Sequence, residues 1–330
     1  MANRDAPLQP KQDRTTPAVR RRRIRRALTT LPLAATLLLS ACSDPHSRLA
    51  PTPEPHGPYV ALGDSYTSGT GIPDQVGTPA GCGRSSRNYP ALVARYLGLD
   101  ADLVHDASCS GATIADLTGP QSTTGGANPA QLSALTAGTA LVTVGIGGND
   151  LDFTGILTRC IALDAIGALL DRLGRTTDED APCRAYYTAD GTDRIQQRIR
   201  AASTRLAAAL TRIHRLAPHA RVYVVGYPDL LPATDGAACA HVLGVTTGDA
   251  AYLNSAEVRL NSALQQQATA AGDTYVDTYA ASLGHDACSA AATRWIEPLI
   301  PTAGGAPLHP DAAGQQGAAD AVERAITAGD

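Results

Sequence analysis

Short apolar segments alternate with helical segments along most of this chain, which is the pattern of a parallel sheet flanked by helices. The clearest helix is Ile195–Leu216, where apolar residues recur at steps of three and four. We predict strands at Tyr59–Leu62, Asp102–His105, Ala140–Ile146, Arg221–Val225 and Thr274–Val276. Further helices are predicted at Tyr89–Leu97, at Leu253–Leu264 with closure at Gly272, and at Ala312–Ile326. The chain is therefore predicted to be an α/β protein with a five-stranded parallel sheet in one large domain.

Four long connections follow the predicted strand ends, at residues 66–88, 151–190, 229–248 and 279–308. Loops of this length are usually either functional or disordered. Five of the six cysteines that follow residue 42 lie in these connections. We therefore expect the connections to be ordered and to form the walls of a pocket.

The N-terminus has the features of an export signal. A basic segment, Arg20–Arg26, precedes the apolar segment Ala27–Ala41, which is too short for a membrane-spanning helix of about 20 residues. Residues 1–41 are predicted to be a signal peptide, residues 42–57 a proline-rich tether and residues 58–330 the folded domain. Leu39–Cys42 resembles a bacterial lipobox, which predicts lipidation of Cys42; an ordinary signal peptide cut after Ala41 is the alternative. The protein is expected at the cell surface through this anchor, or secreted, and the export route stays open.

The charge of the chain argues against one class of partner. Residues 1–41 hold nine of the 27 Lys and Arg residues and two of the 31 Asp and Glu residues, so 18 basic and 29 acidic residues remain. A domain with this acidic balance is not expected to bind nucleic acid. We expect a monomer that contacts membranes only through an N-terminal lipid anchor.

The six remaining cysteines are an even number, which in an exported protein indicates three disulfides. The sequence alone leaves their pairing open. No two of them have the spacing of a zinc site, so no metal is expected. No cofactor is predicted either.

Four short stretches place reactive or hydrogen-bonding groups at the ends of predicted elements. Ser65 follows the first strand within Val60–Gly69, Gly111 follows the second, Asn149 ends the third after Gly147-Gly148, and His309 stands before Pro310 at the last helix. Ligands of open α/β sheets gather at the carboxyl ends of the strands. Alone, each stretch is weak evidence, because serine, glycine and asparagine are common in turns and an isolated histidine usually has no catalytic role.

Together, in order and context, these four residues resemble the four blocks of the SGNH, or GDSL-type, serine esterases and lipases. The resemblance covers residues 58–325 and implies a three-layer α/β/α sandwich of the flavodoxin-like kind. It also implies that Ser65 is the nucleophile and His309 the base. The oxyanion hole it implies consists of the Ser65 N–H, the Gly111 N–H and the Asn149 side-chain amide.

The chain departs from the common family pattern beside the histidine. Many members carry an aspartate three residues before it, where this chain has Ala306, and no carboxylate lies between Glu297 and His309. We therefore expect a Ser65–His309 dyad in which the carbonyl of Ala306 or Pro307 orients the ring. Asp311 is a less favoured candidate for a third catalytic residue, although its side chain is expected to point away from His309.

Secreted actinomycete members of this family pair their cysteines sequentially, which implies disulfides Cys82–Cys109, Cys160–Cys183 and Cys239–Cys288. The implied activity is hydrolysis of carboxylic esters, a small-molecule or lipid ester being the substrate, with a lipid or lipid-like acyl ester as the first choice. A carbohydrate O-deacetylase of the same family and a non-catalytic surface lipoprotein on this fold are the alternatives. Acyl length and physiological substrate are left open by the sequence.

Overall fold

The central element of the chain is a parallel sheet. The computed structural model describes residues 57–174, 180–232 and 236–328, so the signal peptide predicted at 1–41, lipidation of Cys42 and the tether up to residue 56 lie outside the described residues. Its strands are β1 (Tyr59–Gly63), β2 (Val104–Asp106), β3 (Gln121–Thr123), β4 (Gly126–Asn128), β5 (Leu141–Gly145), β6 (Arg221–Val225) and β7 (Thr274–Val276). Strands β3 and β4 form a separate antiparallel hairpin, and the other five form the parallel sheet in the order β2-β1-β5-β6-β7. Counted within this sheet, that is the flavodoxin-like order 2-1-3-4-5.

Nine α-helices connect these strands within the described ranges. They are α1 (Ser65–Ser68), α2 (Tyr89–Tyr96), α3 (Phe153–Arg172), α4 (Pro182–Thr188), α5 (Arg194–Leu216), α6 (Ala237–Val242), α7 (Thr247–Ala271), α8 (Tyr279–Ser282) and α9 (Ala312–Ala328). Short 3-10 turns lie at Ala80–Cys82, Ala101–Leu103, Ile114–Leu117, Gln131–Ala134 and Asn149–Leu151. Helix α5 begins where Asp193 caps it by accepting a hydrogen bond from the Gln196 N–H, and its apolar stripe is buried.

Alternate side chains of each strand enter two different cores. Val60 and Leu62 of β1 pack on the face that α5 and α7 cover. Tyr59 and Ala61 pack on the opposite face, which α2 and α9 cover. The sheet is thus buried on both sides, and the predicted three-layer α/β/α sandwich with five parallel strands is confirmed.

The connection 151–190 contains more regular structure than its sequence indicates, because α3 and α4 lie within it. Helix α3 has apolar residues on several faces, so no polar–apolar stripe marks it as a helix. Ile156 and Leu157 are buried, whereas Ile166 and Leu169 are 55% and 56% exposed. With 20 residues and a mean hydropathy of 1.6 over an 18-residue stretch, α3 is long and apolar enough to cross a membrane, which for a single helix is weak evidence.

Three disulfides join the connections to the sheet and to one another. Their pairs are Cys82–Cys109, Cys160–Cys183 and Cys239–Cys288, the sequential pairing that the family resemblance implies. Cys82–Cys109 fastens the connection after α1 to the segment after β2. Cys160–Cys183 joins α3 to α4.

Gly63 ends β1 in a space that admits no side chain. Its φ is +155°, and a Cβ there would lie 2.2 Å from the Thr67 hydroxyl oxygen and 2.5 Å from the Gly145 carbonyl oxygen. Both contacts are far inside van der Waals distance, and the second is with main chain that cannot move aside.

We predict that Gly63→Ala lowers the free energy of unfolding by about 2 kcal/mol, as overpacking at a rigid site does. Gly119→Ala is the matched control, because a Cβ there meets only the Ala115 carbonyl oxygen at 3.7 Å. Thermal or urea unfolding followed by circular dichroism measures both variants. Equal stability of the two would contradict the packing constraint at Gly63.

Candidate active site

Ser65 stands where β1 turns into the short helix α1, and the residue is buried, with 6% of its surface exposed. The preceding residue, Asp64, caps α1 by accepting a hydrogen bond from the Tyr66 N–H at 2.9 Å. The side-chain amide of Gln131 accepts from the Gly63 N–H at 2.8 Å and donates to the Gly63 carbonyl oxygen at 2.9 Å. The backbone that carries Ser65 is therefore fixed by side chains from outside the strand.

The serine and Asn149 follow two neighbouring strands of the sheet. Strand β1 pairs in parallel with β5 over five residues, from Tyr59 opposite Leu141 to Gly63 opposite Gly145. Beyond this register the Asp64 N–H donates to the Gly145 carbonyl oxygen at 3.0 Å. This is the point at which the strand order reverses, where crevices form in sheets of this type.

His309 lies directly against Ser65. Its Nε2 atom is 2.7 Å from the Ser65 Oγ, and its Nδ1 atom is 2.7 Å from the Pro307 carbonyl oxygen. A carbonyl can only accept, so the neutral ring carries its proton on Nδ1 and offers Nε2 as the acceptor for the serine hydroxyl. Of the two carbonyls that the sequence left open, Pro307 therefore contacts the ring, whereas Ala306 accepts from the His309 backbone N–H at 3.1 Å.

The loop that carries His309 is held by a buried carboxylate that no sequence pattern marked. Glu297, 1% exposed, accepts hydrogen bonds from the N–H groups of Thr302, Ala303 and Gly305 at 2.8, 2.7 and 3.2 Å. The Glu297 main chain also pairs with Leu308 and with the His309 carbonyl. Glu297 thus fixes the loop that carries the ring, without contacting the ring through any of these bonds.

Tyr66 packs beside the histidine. Its hydroxyl donates to the Leu308 carbonyl oxygen at 2.6 Å, and its ring centroid lies 4.9 Å from that of His309. The Tyr66 carbonyl accepts from Gln315 of α9 at 2.9 Å. The short helix that begins with Ser65 is therefore joined both to the histidine loop and to the final helix.

A buried tyrosine links the serine turn to the Asn149 turn. The Tyr227 hydroxyl donates to the Asp64 carboxyl and accepts from the Gly148 N–H at 2.8 Å. Burial, partly offset by this hydrogen bond from Tyr227, raises the pKa of Asp64 to about 7. Tyr227 follows β6, and nothing in the one-dimensional pattern indicates that its hydroxyl reaches two other strand ends.

Gly111 and Asn149 are brought together through Ala112. The Asn149 Nδ2 donates to the Ala112 carbonyl oxygen at 2.9 Å, which leaves the second hydrogen of that amide available. The Cys109 N–H donates to the Gly63 carbonyl and the Ser110 N–H to the Cys82 carbonyl, so the segment before Gly111 runs beside β1. Gly111 has a φ of +76°, a conformation that glycine adopts readily.

Asp311 lies away from the histidine ring. Helix α9 begins at Ala312 rather than at His309, and Asp311 caps it by accepting from the Gly314 N–H at 2.9 Å. His309 and Pro310 therefore precede the last helix, which begins at Ala312 as predicted. Pro310 instead forms a bridge to Ile296 that closes the base of the histidine loop.

A cavity of about 310 Å³ opens beside Ser65 and His309. Its walls are mostly apolar and come from α3 and the turn before it, from the segment after β6, from α7 and from the histidine loop. The lining side chains that carry this apolar character are Leu151, Phe153, Leu157, Ile161, Leu230, Leu260, Leu299 and Leu308. Asn149 also lines the cavity. All four long connections thus supply pocket walls as predicted, 66–88 through Tyr66 and 229–248 through Leu230.

Comparison with known proteins places this arrangement in a family. The model of the GDSL-like lipase/acylhydrolase family matches residues 61–316. A protein named lipase 2 of Streptomyces coelicolor is 37% identical over 295 residues, which are 89% of this chain and 94% of that protein. The crystal structure of an extracellular lipase from Streptomyces rimosus superposes with a TM-score of 0.61 at 29% identity, covering 82% of this chain and 99% of that one. A phospholipase A1 from Streptomyces albidoflavus gives a TM-score of 0.60 at 28% identity over 82% and 98% of the two chains.

The surroundings of the His309 ring allow its pKa to be predicted and tested without a substrate. Burial lowers its pKa below the ordinary 6.5, and the hydrogen bond to the Pro307 carbonyl opposes this only in part. We expect the NMR titration of its ring to have a midpoint below 6.5, with the resonance assigned by its loss in His309→Gln. A midpoint above that value would indicate a carboxylate beside Nδ1 and would contradict the carbonyl contact.

Proposed function

Since this chain belongs to the GDSL-like lipase/acylhydrolase family and is a carboxylic ester hydrolase, we propose that its reaction proceeds through Ser65 and His309. The observation that carries the proposal is the 2.7 Å contact between the Ser65 Oγ and the His309 Nε2 at the edge of an apolar cavity. A serine hydroxyl needs an adjacent base to become a nucleophile, and this contact has the required hydrogen-bond geometry.

In the first half of the reaction the Ser65 Oγ attacks the ester carbonyl carbon while His309 Nε2 takes the hydroxyl proton. The ring is then protonated on both nitrogens and carries one positive charge, and the Pro307 carbonyl continues to accept from Nδ1. Collapse of the tetrahedral intermediate breaks the bond to the alcohol oxygen, which receives the proton from Nε2. The product of this half is the acyl-Ser65 ester.

Three donors are proposed to stabilise the oxyanion: the Ser65 N–H, the Gly111 N–H and the second hydrogen of the Asn149 amide. The bond from Asn149 to the Ala112 carbonyl supports this role because it fixes the amide in orientation beside the Gly111 turn. One donor of this kind is typically worth about 10²–10³ in turnover.

In the second half His309 takes a proton from water, which attacks the acyl-enzyme and releases the acid with Ser65 restored. The apolar walls favour a lipid or other medium to long acyl ester as substrate, because each buried methylene contributes about 0.8 kcal/mol. An acetyl group, as in a carbohydrate deacetylase, would leave most of these walls uncovered.

We also infer export. Three disulfides indicate an oxidising compartment, and they agree with the signal peptide expected at 1–41. Lipidation of Cys42 stays a prediction, and mass spectrometry of the mature N-terminus distinguishes it from cleavage after Ala41.

Ser65→Ala is expected to reduce kcat for p-nitrophenyl esters by at least about 10⁴-fold, because nucleophilic attack is lost while the proposed oxyanion donors remain. Covalent labelling by a serine-directed phosphonate should be lost with it. Ser68→Ala is the matched control, since Ser68 is buried in the same short helix and, within the described ranges, its hydroxyl bonds to Thr70 alone. Substantial turnover by a folded Ser65→Ala protein would overturn the mechanism. Absence of turnover in the wild type would instead favour the non-catalytic lipoprotein.

His309→Ala is expected to lower turnover by about 10³-fold or more, whereas Asp311→Asn should stay within about threefold of the wild type. Asparagine retains a side-chain oxygen for the Gly314 N–H, so the cap of α9 is preserved. Steady-state kinetics, with circular dichroism as the folding control, measure both variants. Equal losses in the two would show that Asp311 is the missing third member.

A further inference from the structure

One wall of the apolar cavity carries a carboxyl group that the proposed reaction does not use. Glu257 of α7 lines the cavity one turn before Leu260, and the residue is 5% exposed. Within the described residues its one hydrogen bond comes from the Leu230 N–H, at 3.1 Å to Oε2. Its other oxygen has no hydrogen-bond partner there, yet it keeps some accessible surface. Because Glu257 lines the cavity, we infer that this oxygen faces the cavity.

The groups that face Glu257 are acidic or phenolic. Asp229 approaches from the segment after β6, Tyr66 from α1, Tyr275 from β7 and Tyr279 from α8. Among the described residues, no cation acts on Glu257. Burial in first place, and then the nearby Asp229, raise the pKa of Glu257 well above its ordinary value, against the hydrogen bond from Leu230.

We propose that Glu257 is a specificity-determining residue: protonated, it lets an apolar acyl group fill this wall of the cavity, and ionised, it excludes that group. The reason is solvation. An ionised carboxylate without a cation depends on water in the cavity, and an acyl chain that fills the cavity removes this water. A neutral carboxyl group loses much less solvation free energy when this water is removed.

This proposal rests on ester hydrolysis at Ser65 and adds a pH dependence to the choice of substrate. Binding of a long acyl chain should favour the protonated form of Glu257, so the preference for long chains falls as pH rises through its pKa. A short acyl group does not reach this wall and leaves the carboxylate hydrated. The ratio of the two reactions therefore reports on Glu257, because the steps at Ser65 and His309 are common to both.

The test is the ratio of kcat/KM for p-nitrophenyl octanoate to that for p-nitrophenyl acetate, measured from about pH 6 to about pH 9, the range in which buried glutamates titrate. In the wild type the ratio should fall about tenfold with rising pH. In Glu257→Gln it should stay constant within about twofold, because the amide is neutral at every pH and its oxygen still accepts from Leu230.

Asp229→Asn is the control for the other buried acid. The pKa of Asp229 is raised to about 7, mainly by burial, and its carboxyl bonds to Asn254 rather than lining the cavity. This variant should still show the fall in the ratio, displaced to lower pH because the charge of Asp229 no longer raises the pKa of Glu257. A fall that persists in Glu257→Gln or disappears in Asp229→Asn would overturn the assignment to Glu257.

The wild-type measurement decides the matter even if a variant fails to fold. A ratio that is constant up to about pH 9, with acetate turnover still dependent on Ser65, would reject the role of Glu257 and leave the proposed function intact. Turnover of both esters that survives Ser65→Ala would reject the proposed function instead.

Discussion

The parallel pairing of β1 with β5 is the constraint on which the rest of this molecule depends. It aligns five residues of each strand and continues into the bond from the Asp64 N–H to the Gly145 carbonyl. Because the chain leaves the two strands toward opposite neighbours, a crevice opens between their ends. Ser65 and Asn149 stand on the two sides of it, and Tyr227 joins the sides by contacting both Asp64 and Gly148.

Much of this arrangement could be predicted from the sequence, because the signals are local. All five parallel strands were located to within two residues, since each is a short apolar segment between turns. Helices α5 and α9 were located for a similar reason, as their buried residues recur at helical spacing. Ser65, Asn149 and His309 were singled out by motif, and the structure brings Ser65 and His309 into contact and lines one cavity with all three.

What the sequence did not indicate depends on contacts between distant residues. Helix α3 carries apolar side chains that face both the cavity and the surface, so its pattern resembles neither an amphipathic helix nor a strand. The side chains of Glu297 and Gln131 bond to backbone groups of other residues. Every residue has such groups, so the sequence does not show which of them become partners until the loops fold. In the sequence Glu257 is indistinguishable from any other glutamate in a helix, and only the fold shows that it lines an apolar cavity.

The contact between the histidine ring and the Pro307 carbonyl has a consequence for how the site tolerates mutation. An aspartate that orients a histidine disappears when a single codon changes, whereas a main-chain carbonyl is present whatever residue occupies position 307. Mutations that disrupt this contact are therefore expected in the residues that shape the loop, rather than at the residue beside the ring. Foremost among these is Glu297, whose three backbone bonds no shorter or neutral side chain reproduces. Over many generations of drift, position 307 should vary more freely than position 297.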